Sequence, residues 1–383
     1  MSRTLMLTTV GTSLLTNVCA SGEERAAIYG LANLPVSALS GEQQALLEAL
    51  VSRANERLEQ GPEAARKASA ELNAMLGWAD NRESRLGDVH HVLVATDTAA
   101  GALAADLLTD YLRKRGAEHV ERWQPAGFNT ASLEGFRNGI RELLRRCDEV
   151  LPAYRALGFS IVFNTLGGFK SQRDVLNIAG MFYADEILYV FEARNSPLLR
   201  IPRLPIRIDD RPFREQPAEM LLLAAGRIVG TPEHPVPAWL PESLLDEPER
   251  DGRRMLSSWG ILVWDRVKDS CLPPRPLPLP RLEYTDRFVR EFEALPDGSE
   301  RLRVRAHETL AEVSLLLEES GGNTQALARH GGLRYSRYSG ANAHLGHFRL
   351  TNSKGAYRIS CEPVPGGLRL RRIGLHDDVN GNP

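Results

Sequence analysis

The stretch FSIVFNTLGGFKSQRD, residues 159–174, decides the fold. The apolar, β-rich run FSIVFNTLG reads as a buried strand. Two glycines then turn the chain, and Lys170 opens a polar segment whose spacing predicts a helix to about residue 183. A strand, a glycine turn and a helix in this order are part of a βαβ unit. Working outward, the same alternation recurs. TLMLTTVG (4–11) predicts a first strand, HHVLVATDT (90–98) a second, HVERWQPAG (119–127) a third and EILYVFEA (186–193) a fifth. Helical spacing fills 41–76, 99–116 and 131–157. The helix at 99–116 ends in basic residues and Gly116, as helix C-termini prefer. LLRIPRLPIRID (198–209) is extended and is expected to form an edge hairpin. Residues 1–210 are thus expected to be an open, mainly parallel sheet with helices on both faces.

Composition narrows the class. The chain has 383 residues, 43% hydrophobic and 25% charged, which fits a soluble protein of two or three domains. Its net charge of −2 announces no polyanion partner for the chain as a whole. The four cysteines, Cys19, Cys147, Cys271 and Cys361, are far apart and suggest neither a zinc knuckle nor a disulfide framework. The N-terminal apolar run is too short and too rich in threonine for a signal peptide. No apolar run reaches the roughly 18 residues of a membrane helix. A cytoplasmic protein with no membrane partner, metal or organic cofactor is expected.

The alternation stops near residue 210. Residues 211–280 carry short helical stretches split by TPEHPVPAWLPESLLDEP and closed by CLPPRPLPLPR, whose five prolines make a stiff spacer. A small helical or winged-helix segment is expected here. From 281 onward two helices, 284–295 and 300–319, precede the short alternating runs GHFRLTN, AYRISCEP and GLRLRRIGLH. Two helices followed by an antiparallel meander predict an α+β domain at 281–383. The fold class is therefore α/β plus α+β.

Charge is unevenly placed. Residues 329–372 hold nine Lys or Arg against one acid, Glu362. Such a stretch is the electrostatic footprint of a polyanion. Tyr335, Tyr338, Phe348 and Tyr357 lie among the charges, and cations with aromatic stacking suit single-stranded RNA.

The segments FRLTNSKGAYRISCE and GLRLRRIGLHDDV, following two helices, resemble the RelE family of ribosome-dependent mRNA interferase toxins. The resemblance covers roughly 284–378. It implies that Arg349, Lys354, Arg358 and His376 form a metal-independent ribonuclease cleft that acts on mRNA at the ribosome. Arg358 stands at the family's phosphate-clamping arginine and His376 at a C-terminal position that is Arg or His. Thr351 replaces a frequent second lysine, and Asn380 stands in place of a C-terminal tyrosine. The chemistry is self-consistent: the RNA's own 2′-OH attacks the adjacent phosphate, the arginines neutralise the developing charge, and an imidazole moves a proton.

Three loops fall at the carboxyl ends of predicted strands: VGTSLLTN (10–17), ATDTAAG (95–101) and NTLGGFK (164–170). That edge of an open α/β sheet holds ligands. Gly11, Gly167 and Gly168 allow close backbone approach to a phosphate, and each loop feeds a helix N-terminus. No G-x-x-x-x-G-K-[ST] is present, and no G-x-G-x-x-G follows the first strand. GTS after the first strand and N-x-x-GGFK after the fourth resemble the CARF domains of type III CRISPR systems, sensors of cyclic oligoadenylates, over roughly 4–210. By that resemblance Gly11, Thr12, Ser13, Gly167, Gly168 and Lys170 line the ligand site, with Asn17, Thr96 and Asp97 nearby. Ser13 and Lys170 are also the positions that support slow cleavage of the ring. A homodimer is implied, which suits the repeat symmetry of cyclic tetra-adenylate.

Together the two resemblances point to the CRISPR-Cas-associated CARF–RelE fusion interferases: a ligand-activated, ribosome-dependent mRNA endoribonuclease of antiviral defence. Two rival classes remain at this stage. One is a ligand-gated transcription regulator in which 211–270 is a DNA-binding winged helix. The other is a metabolic α/β enzyme that takes a nucleotide at the GGFK loop.

Overall fold

The computed structural model describes residues 3–190, 198–296, 301–351 and 356–383. The chain divides into two compact units, Met1–Arg207 and Ile208–Pro383.

The first unit is built on one sheet. Its strands are β1 (Thr4–Thr9), β2 (Val89–Val94), β3 (Val120–Trp123), β4 (Ser160–Asn164), β5 (Glu186–Val190) and β6 (Leu198–Pro202). Their spatial order is β3-β2-β1-β4-β5-β6. β1 to β5 are mutually parallel, and β6 closes the edge antiparallel to β5. Every residue of β1 is buried, as expected of a central strand covered on both faces. The register aligns Thr9 with Val94 and Thr8 with Asn164, so β1, β2 and β4 end side by side. The chain runs outward from β1 to β3, then returns to lay β4 on the other side of β1. That reversal makes the gap between β1 and β4 the switch point of the sheet.

All five expected parallel strands form, although the third is shorter than its sequence run, and residues 191–193 of the fifth lie outside the described residues. The helical pattern at 41–76 divides into Gly41–Leu58, Pro62–Ala68 and Ala70–Trp78. Gly61 at φ +103° followed by Pro62 ends the first piece. Ser69, extended and accepting from the Leu72 N–H, starts the last. The helix Leu133–Ala156 is continuous through Pro152.

The second unit carries β7 (Leu282–Tyr284), β8 (Ser336–Arg337), β9 (Gly346–Arg349), β10 (Tyr357–Val364) and β11 (Gly367–Leu375), in the order β7-β11-β10-β9-β8. The sheet is mostly antiparallel. Only β7 runs parallel to its neighbour, β11, and at three residues it is too short to stand out in the sequence. Opposite Ser360/Cys361 the register skips Arg371, a bulge that bends β11. Helices Asp286–Glu293 and Leu302–Glu319 supply Phe288, Phe292 and Leu310 to the core beneath Phe348, Ile359 and Leu370.

Residues 211–280, which the sequence pattern sets apart as a middle segment, pack into this same core. Phe213, Met220 and Trp264 belong to one apolar cluster with the C-terminal sheet. The helix Ser258–Cys271 is further tied to Leu302–Glu319 by Lys268, 8% exposed, whose Nζ lies 2.7 Å from Asp265 and 2.8 Å from Glu308. No helix among the described residues is long and apolar enough to cross a membrane.

Candidate functional site

In the first unit, the end of β1 and the glycine turn after β4 close on each other. The Thr9 hydroxyl donates to the Gly167 carbonyl at 2.7 Å. A Cβ on Gly11 would lie 2.4 Å from the Gly168 backbone nitrogen, so no side chain fits there. Gly168 itself adopts φ +87°, a left-handed conformation that favours glycine.

The centre of this crossing is a residue that the sequence motifs do not single out. Glu71, in the first turn of helix Ala70–Trp78, is fully buried. Its Oε1 accepts from the Gly11 N–H at 2.7 Å. Its Oε2 accepts from the Ser13 hydroxyl at 2.9 Å and the Ser69 hydroxyl at 2.6 Å. A Cβ on Gly167 would fall 2.0 Å from Oε1. The Asn164 side chain donates to the Glu71 carbonyl at 3.0 Å, fixing the helix to the end of β4. Below Gly168 lies Gln172, 1% exposed, with its Oε1 buried and without a hydrogen-bond partner among the described residues. The signal available for Glu71 was a lone acid in the apolar helical run AELNAML.

Gly11, Ser13, Gly167 and Gly168 are thus brought together around Glu71. Thr12, partly exposed, precedes the short helix Ser13–Thr16. Lys170 is exposed at the first position of helix Lys170–Tyr183, with no hydrogen bond or ion pair to a described residue. Asn17 instead faces the inserted helices, donating to the Ala68 carbonyl at 3.1 Å. Thr96 is buried, with its hydroxyl 3.0 Å from that of Thr98. Asp97 accepts from the Gly127 N–H at 2.9 Å and so ties the loop after β2 to the loop after β3.

The second unit holds a cationic centre. Arg349 on β9 and Arg358 on β10 are direct cross-strand neighbours. Like charges in that relation destabilise a sheet, and neither has a described carboxylate partner within ion-pair distance. The basic residues of β11 differ: Arg369 pairs with Glu283 at 2.9 Å, Arg371 with Glu362 at 3.5 Å and Arg372 with Glu291 at 2.9 Å. Arg349 and Arg358 thus face each other without the pairing that the β11 arginines have.

Asn380 joins these groups. Its Oδ1 accepts from Arg358 Nη1 at 2.9 Å and from the Tyr338 hydroxyl at 3.2 Å. Its amide nitrogen therefore faces His376 Nε2, 3.2 Å away. On the other side of the ring, His376 Nδ1 lies 2.6 Å from Asp377. This arrangement suits Nδ1 as donor to Asp377 and Nε2 as acceptor from the Asn380 amide. Arg358 is 8% exposed, and its Nε has no described partner. Burial, then neighbouring Arg349, lowers its pKa. His347, its ring centroid 4.5 Å from that of Tyr338, is held down to about 4 by burial and then by Arg358, His376 and Arg349. Burial raises the Tyr338 phenol.

Of the aromatic residues read as a stacking surface, Tyr335 and Phe348 are buried and Tyr357 packs on the core. Tyr338 alone of the four reaches the cationic centre. The Thr351 hydroxyl is also structural, accepting from the Tyr357 N–H at 2.9 Å. Lys354 lies outside the described residues.

Residues 66–204 match the sequence model of a family described as CRISPR-associated protein (Cas_APE2256). The matched stretch includes Glu71, β2 to β6 and the GGFK turn, and begins after the β1 loop with Gly11, Thr12 and Ser13. This match supports a CRISPR-associated protein.

Proposed function

We propose that the protein is a cyclic-oligoadenylate-activated endoribonuclease that cuts mRNA on the ribosome and so arrests translation. The first unit is the sensor. Its ligand sits at the switch point between β1 and β4, near Ser13, Gly168 and Lys170, and a homodimer presents that edge twice to one cyclic tetra-adenylate ring. Activation requires that the ring bind one arrangement of the dimer better than another. Ser13 and Lys170 also support slow cleavage of the ring, which would limit the response in time.

The second unit is the ribonuclease. The observation that carries this reading is the opposed pair Arg349 and Arg358, without acidic partners among the described residues and linked through Asn380 to His376. A sheet tolerates two facing arginines at a cost in stability, and a polyanion offsets that cost. With the RNA's 2′-OH as nucleophile, the guanidinium groups neutralise the phosphorane and His376 Nε2 takes or returns a proton. The CRISPR-associated family match over the first unit supports the sensing half.

Lys170→Ala provides a direct test of the sensor. Cyclic tetra-adenylate binding and ring-dependent mRNA loss are both expected to disappear. Survival of both would refute the sensor assignment.

A further inference from the structure

Ser13 is partly exposed at the edge of the crossing, so it can meet a ligand. Its hydrogen-bonding capacity is nearly spent inside the protein. Its Oγ accepts the Ala70 N–H at 3.0 Å, and its proton goes to Glu71 Oε2 at 2.9 Å. A hydroxyl has one proton and two lone pairs. What remains to Ser13 is one lone pair, so it can accept a hydrogen bond but has no proton to give a phosphate oxygen.

Glu71 enforces this polarity. Both hydroxyls that reach its Oε2 already accept a backbone N–H: Ser13 from Ala70, and Ser69 from Leu72 at 3.1 Å. Each is left to point its proton at the carboxylate. The Gly11 N–H is spent on Oε1 in the same way, so it too is withheld from an anion. The carboxylate itself is fully buried.

We infer that Glu71 is a positioning residue that makes Ser13 a hydrogen-bond acceptor, and that Ser13 reads a hydroxyl of the ligand rather than its phosphate. In a ring of nucleotides linked 3′ to 5′, the free ribose hydroxyl is the 2′-OH. The site would thereby distinguish ribose from deoxyribose. This rests on the cyclic-oligoadenylate reading of the first unit.

Glu71→Gln inverts the pattern with little change in shape. The amide oxygen continues to accept from Gly11, and the amide nitrogen donates to Ser13. Both Ser13 lone pairs are then filled, and its proton is released.

The test is competition binding to the full chain by cyclic tetra-adenylate and by its all-2′-deoxy counterpart, with a thermal melt of each variant. The wild type is expected to prefer the ribose ring about tenfold, in the range of one or two ordinary hydrogen bonds. Ser13→Ala removes the acceptor, leaves Gly11 and Ser69 on Glu71, and should bind both rings within about twofold of each other. Glu71→Gln, whose freed Ser13 proton can go to a phosphate oxygen of either ring, should bind the deoxy ring more tightly than the wild type does.

Equal binding of the two rings by the wild type would overturn the inference while leaving the sensor reading intact. So would a tenfold preference retained in Ser13→Ala, or a folded Glu71→Gln that binds the deoxy ring no better than the wild type. Failure of the wild type to bind either ring would instead remove the sensor reading on which the inference rests.

Discussion

Arg358 carries the largest burden of any single residue. It is almost fully buried beside a second arginine, and its Nη1 is fixed on Asn380. A lysine would keep the charge but lose the planar fork that binds Asn380 and a phosphate together. Arg358→Lys is therefore expected to fold and to cut RNA about 100-fold more slowly, the typical cost of one lost charge-stabilising donor. Cleavage rates on translated mRNA, with circular dichroism to confirm folding, would check this. A second prediction concerns stability. His91 on β2 is 1% exposed; its Nε2 faces the Leu86 carbonyl at 3.0 Å, and its Nδ1 is buried without a partner among the described residues. Protonation would bury an unpaired N–H, and burial lowers the pKa from 6.5 to about 4. The unfolded chain takes up the proton first as pH falls. The associated stability is complete above pH 6.5 and is lost progressively as pH falls toward 4, by on the order of 3 kcal/mol. Melting curves of the wild type and His91→Gln should diverge in slope across that window; parallel curves would exclude His91 as a source.

At the scale of elements, the parallel strands were legible because each is a short apolar run closed by a turn signal. The GGFK turn was legible because glycine pairs at a strand end have few other uses. Glu71 was not, since its role depends on an inserted helix returning to the end of β1, a contact 60 residues away in sequence. Asn380 and Tyr338 were hidden for the same reason: only the hairpins of the second sheet bring 338, 358 and 380 to one point. β7 was missed because three residues carry no period. The boundary near 280 rested on proline content, which marks stiffness but says nothing of burial. Met220 and Trp264 pack with the C-terminal core all the same. Lys268 gives that union a test. Removing its ammonium leaves Asp265, 8% exposed, without this partner. Lys268→Ala should lower the stability of the second unit by about 3 kcal/mol, as breaking a buried ion pair does. Urea titration should show one transition shifting for residues on both sides of 280. Separate transitions would mean that the segment folds independently.

Across the whole molecule, a net charge of −2 conceals a chain whose positive charge is gathered into residues 329–372. Ion pairing along β11 then offsets Arg369, Arg371 and Arg372, and Arg349 and Arg358 are among the cations that remain. Each unit thus has its own feature suited to an anion: a glycine crossing beside exposed Lys170 in the first, a pair of facing arginines in the second. In the proposed function the two features serve two different RNAs, one read as a signal and one cut. The direct measurement is mapping of mRNA 5′ ends in a translation extract supplied with the protein, with and without cyclic tetra-adenylate. The account predicts new ends on translated mRNA only when the ring is present, and none with Arg358→Lys under the same brief exposure. Ends that form equally without the ring, or no new ends in its presence, would contradict it.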